Sequence, residues 1–87
     1  MDVYIYFYSE LPTGRRAFED SMAGRIQPWA RVSGGGTGVE GSNIDLEILD
    51  RHLSKESVLG QIKAALRQLK APADTVISID GEEDHPL

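Results

Sequence analysis

Residues 3–8, VYIYFY, alternate Val3, Ile5 and Phe7 with Tyr4, Tyr6 and Tyr8. A period of two in β-branched and aromatic residues predicts a strand, with one set turned inward and the three tyrosines outward. Pro12-Thr13-Gly14 marks a turn with Thr13 as the expected helix N-cap, after which Phe18, Met22 and Ile26 recur every four residues. That spacing predicts a helix over 14–26, weakened by Gly24 and ended by Pro28. Trp29 to Ser33 reads as a short strand, Ala30 and Val32 on one side and Trp29, Arg31 and Ser33 on the other. NIDLEILD, residues 43–50, alternates again, with Ile44, Leu46 and Ile48 inward and Asn43, Asp45 and Glu47 outward. From Ser54, the positions Val58, Leu59, Ile62, Ala65, Leu66 and Leu69 form a core-facing helical stripe that ends at Ala71-Pro72. Thr75–Asp80 is the last expected strand, with Ile77 and Ile79 inward and Val76, Ser78 and Asp80 outward. Gly81 then opens EEDHPL, an acidic tail expected to be loose.

The order strand, helix, strand, strand, helix, strand predicts an α+β domain of the ferredoxin-like, split βαβ type. Its four-stranded antiparallel sheet would have the order 4-1-3-2, with two helices on one face. Residues 1–81 are read as this single domain and 82–87 as the acidic C-terminal tail. A chain of 87 residues buries a small core. The fold hosts many unrelated activities and selects none of them.

Charge and composition narrow the functions. The net charge is −5, and there is no cysteine. The first excludes broad binding to phosphate backbones; the second excludes thiolate metal sites, disulfides and cysteine nucleophiles. Asp2 stands where a signal peptide would carry positive charge, and no apolar run is long enough to span a bilayer. The reading is a cytoplasmic protein with no membrane or nucleic-acid partner.

Five of the nine glycines fall between Gly34 and Gly41, in the segment GGGTGVEG. Gly36-x-Gly38-x-x-Gly41 has dinucleotide-fingerprint spacing, but that motif must open a helix whose amides hold the pyrophosphate. Here the following residues alternate as a strand. The segment is therefore expected to be a wide hairpin connection, or a contact loop offering Gly36, Gly38 and Glu40 to a partner.

The outward positions give the most specific clue. Tyr4, Tyr6, Tyr8 and Trp29 would share a sheet face with Arg31, Asp45 and Glu47. Aromatic rings beside carboxylates suit Arg and Lys side chains, through cation–π contact and charge-assisted hydrogen bonds. An RNA-binding sheet would need basic residues there instead. Arg15 and Arg16 near a helix start could hold an anion. Acylphosphatases, which share the expected fold, bind phosphate after the first strand, yet their G-x-V-Q-G loop is absent from SELPTGRR. His52 and His85 have no nucleophile partner, and the tail's Glu82, Glu83, Asp84 and His85 form no preorganised metal site. The sequence thus points to a non-enzymatic protein-binding domain without cofactor or metal. Its most concrete form is a small acidic bacterial inhibitor of the immunity or antitoxin type that occludes a basic partner. A small-molecule or anion-binding regulatory domain is the alternative, and a homodimer would be the other way to cover the tyrosine face.

Overall fold

A computed structural model describes residues 1–87. The chain runs β1 (Asp2–Phe7), α1 (Arg15–Ile26), β2 (Ala30–Gly38), β3 (Gly41–Ile48), α2 (Lys55–Gln68), β4 (Val76–Ile79) and β5 (Glu83–Pro86). It is a small α+β structure with two helices and a five-stranded antiparallel sheet, in the order β2-β3-β1-β4-β5. No helix is long and apolar enough to cross a membrane.

Alternation sets the sheet's two faces. Val3, Ile5 and Phe7 of β1 stand beside Ile44 and Leu46 of β3 and Ile77 and Ile79 of β4. These residues join Phe18, Met22 and Ile26 of α1 and Val58, Ile62, Ala65 and Leu66 of α2 in one cluster of 16 buried residues. Both helices therefore draw their apolar stripes onto the same sheet face, as the four-residue and 3-4 spacings require. Phe7 and Phe18 meet edge to face, with ring centroids 5.3 Å apart.

The helix ends differ in chemistry. Ser54 caps α2, its Oγ accepting from the Ser57 N–H at 3.1 Å. At α1 the expected cap at Thr13 is not made. Gly14 is the N-cap and no side chain bonds the first turn, so α1 starts one position later than a Thr13 cap would place it.

Two further expectations are corrected. The sheet has five strands rather than four, because residues 83–86 of the supposed loose tail pair with β4, Ile77 opposite His85 and Ser78 opposite Asp84. Asp80 and Gly81 carry φ of 53° and 70°, and the Glu82 N–H donates to the Ile79 carbonyl at 3.0 Å. Positive φ at both central residues is what a tight hairpin turn demands, and Asp-Gly is a favoured pair for it. The glycine segment is likewise not a wide loop. β2 extends through Gly38, β3 begins at Gly41, and only Val39 and Glu40 connect them.

Candidate functional site

The sheet face opposite the helices carries the side chains singled out above. On β1, Tyr4 lies opposite Asp45 on one side and Ser78 on the other; Tyr6 lies opposite Asn43 and Val76. Asp2 is opposite Glu47, which in turn is opposite Arg31 of β2. The register thus brings together Tyr4, Tyr6, Arg31, Asp45 and Glu47, with Asp2 added at the start of the row. Asp2 was not among the expected site residues, although it shares the period-two phase of Tyr4 and Tyr6.

The electrostatics of the row are one-sided. Arg31 Nε donates to Glu47 Oε1 at 2.7 Å, which holds the Glu47 carboxyl below its ordinary range and raises the guanidinium. Asp45 accepts from the Asn43 amide, Nδ2 to Oδ1 at 2.8 Å, and pairs with no cation. The Tyr4 hydroxyl is pushed up, first by the charge of Asp2, then by partial burial, Asp45, Tyr6 and Asp80. The main cause of that shift is carboxylate charge on and beside the middle strand. Only one of the nine Lys and Arg residues, Arg31, lies on any strand. The others belong to the helices and loops.

The β2–β3 hairpin frames the far end of this face. Tyr6, Tyr8, Gly36, Gly38 and Glu40 line a groove of about 660 Å³. A second groove of about 560 Å³ lies between the hairpin and the loop entering α1, with Tyr8, Thr13, Arg15 and Glu40 in its wall. Val39 at the hairpin tip is fully exposed, and Tyr8, just past the end of β1, is more than half exposed. Both terminal nitrogens of Arg15 are engaged there, Nη1 pairing with Glu19 Oε2 at 2.9 Å and Nη2 donating to the Asn43 carbonyl at 3.2 Å, while its buried Nε has no partner.

Two residues sit elsewhere than expected. Trp29 is not on the open face; it precedes β2 and borders a hollow beside Gly24 and Arg25 of α1 and Gln61 and Ala65 of α2. The alternation that would have turned it outward starts only at Ala30. Ser33 is the extra residue of a β-bulge, since Val32 faces Leu46 and Gly34 already faces Asp45. The bulge resets the phase so that Gly34 and Gly36 fall on the open face, opposite Asp45 and Asn43. Of the histidines, His85 Nε2 lies 3.3 Å from Glu83 Oε2, while the His52 N–H donates to Asp50. No three His, Asp or Glu side chains converge as a metal-ligand set.

Comparison of the chain with protein-family models, with curated proteins and with solved structures gives no match.

Proposed function

We propose that the chain is a non-enzymatic protein-binding domain, ferredoxin-like through its first four strands, that engages a basic protein through the open face of its sheet. Its most concrete form is a small acidic inhibitor, an immunity protein or antitoxin that occludes the cationic site of a bacterial toxin in the cytoplasm. The observation that carries this reading is the segregation of charge. Asp2, Asp45 and Asp80 surround Tyr4 on the central strand, and the one strand-borne cation, Arg31, is taken up by Glu47. A partner Arg or Lys placed over the Tyr4 ring would gain cation–π attraction and a charge-assisted bond to Asp45 together. Tyr6 and Tyr8 continue the aromatic surface toward the hairpin, and Tyr is a residue type that dominates interface energetics.

The anion-binding alternative draws on the groove at the start of α1, where Arg15 is engaged by Glu19 and Asn43. That occupancy favours the protein-binding reading.

Capture of partners from the native cell extract at low salt tests it. The expected result is a stoichiometric basic protein, bound by the parent and by Lys63→Glu on α2, but lost with Asp45→Lys and with Tyr4→Ala. Its association rate should fall steeply as salt rises. Retention by Asp45→Lys, or loss by the helix variant alone, would remove the open face from the account.

A further inference from the structure

The two edges of the sheet are unlike. β5 is four residues long and carries Glu83, Asp84 and Pro86, the devices that discourage another strand from joining. β2 is nine residues long and, beyond its bulge, runs Gly34-Gly35-Gly36-Thr37-Gly38 with no proline and no charge. An antiparallel edge turns the N–H and C=O of alternate residues outward, so this stretch presents a bare backbone ladder.

We infer that the outer edge of β2 is a pairing site for an extended, basic segment of the partner, which adds a sixth strand to the sheet. This rests on the protein-binding reading above and sharpens where the partner docks. Charge complementarity decides the occupant. Gly34 lies beside Asp45 and Gly36 beside Asn43, and neither glycine has a side chain to screen them. A Lys or Arg of the added strand, on the open face, crosses the glycine to reach Asp45 and, one strand further, Tyr4. On the opposite face Arg15 lies against Gly35, where even a Cβ would collide with its guanidinium. The added strand therefore carries small residues on that side. Backbone bonds supply adhesion and the alternate side chains supply selectivity, the logic of strand addition. A second copy of this chain fits less well, because its own β2 offers no cation except the Arg31 held by Glu47.

The test uses the full chain and an end-blocked octapeptide alternating Lys and Ser, followed by amide hydrogen exchange and NMR shifts. The expected result is slowed exchange at residues 34–38 with shifts at Asp45 and Tyr4. N-methylation of alternate peptide bonds should weaken binding by about tenfold or more, and exchanging Lys for Glu should abolish it. Gly36→Val, whose added Cβ meets only Asn43 Oδ1 at 3.6 Å, should fold and bind several-fold more weakly. Shifts at Tyr4, Tyr6 and Asp45 without protection on β2, or indifference to N-methylation, would overturn edge pairing and leave the acidic face standing. No response to the peptide anywhere would overturn both. Protection of β2 that tracks protein concentration instead of peptide would assign the edge to a second copy.

Discussion

Replacing Gly41 by alanine should damage this domain far more than the same change at Gly38, its partner across the hairpin turn. Gly41 has a φ of 139°, a region that costs an L-residue roughly 1–3 kcal/mol. A Cβ there would also overlap the Phe7 carbonyl oxygen, and it would stand 3.1 Å from the Phe7 carbonyl carbon and 3.3 Å from Tyr8 Cα. These are main-chain atoms at the end of the central strand, so relief means moving β1 or the turn, an overpacking cost of about 1–3 kcal/mol. The two together come to about 2–6 kcal/mol, against a total stability of roughly 4–13 kcal/mol for a chain this long. At Gly38 a Cβ would meet nothing nearer than the Gly41 carbonyl oxygen at 4.0 Å, and φ is not positive. Gly38→Ala should therefore stay within about 0.5 kcal/mol of the parent. Urea and thermal unfolding read both changes. In small domains each 1 kcal/mol moves Tm by roughly 4–8 °C, so Gly41→Ala should melt at least about 8 °C below the parent. Equal melting of the two variants would refute the reasoning, since it would mean that the chain does not approach Phe7 as described.

Three other outcomes follow from the same structure. Phe18→Ala removes a fully buried ring from its edge-to-face contact with Phe7 and should cost about 3–5 kcal/mol by urea unfolding; a loss under about 1 kcal/mol would contradict that packing. Glu47 has a depressed folded pKa, so the stability its pairing with Arg31 contributes is present above roughly pH 4.3 and disappears as pH falls through the folded value. The stability gap between the parent and Arg31→Ala should accordingly close on acidification, and the Glu47 resonance in the variant should titrate nearer the ordinary carboxylate range. Truncation after Gly81 uncovers β4, removes the Leu87 N–H bond to the Thr75 carbonyl at 3.0 Å and takes Leu87 from the margin of the core. It should destabilise by at least about 1 kcal/mol, whereas unchanged unfolding would mean that the tail is loose.

The elements visible in the sequence were those in which periodicity and burial coincide. Val3, Ile5 and Phe7, then Ile44, Leu46 and Ile48, alternate because one side of each strand is buried. The Phe18, Met22 and Ile26 spacing and the α2 stripe are legible for the same reason. β2 beyond Ser33 was illegible because glycines have no alternation to display, and pairing with β3 overrides their poor strand propensity. β5 was hidden by Glu83, Asp84 and Pro86, residues suited to an edge but disfavoured inside a sheet; the Asp80-Gly81 turn was its one local signal. Of the site, Tyr4, Tyr6, Asp45 and Glu47 could be placed from phase alone. Trp29 could not, because it lies outside the strand whose phase it was assigned.

The position of β1 between β3 and β4 also governs the order in which the chain can be completed. Made before either of its neighbours, VYIYFY has no sheet partner until residues 42–47 exist, and gains its second only when Val76–Ile79 arrive. The most β-prone, uncharged segment of the sequence is thus the one that waits longest for its partners. The window in which nascent chains could associate with one another closes only once β4 has been made. In the finished sheet the same strand is enclosed on both sides, and that hazard is sealed into its centre.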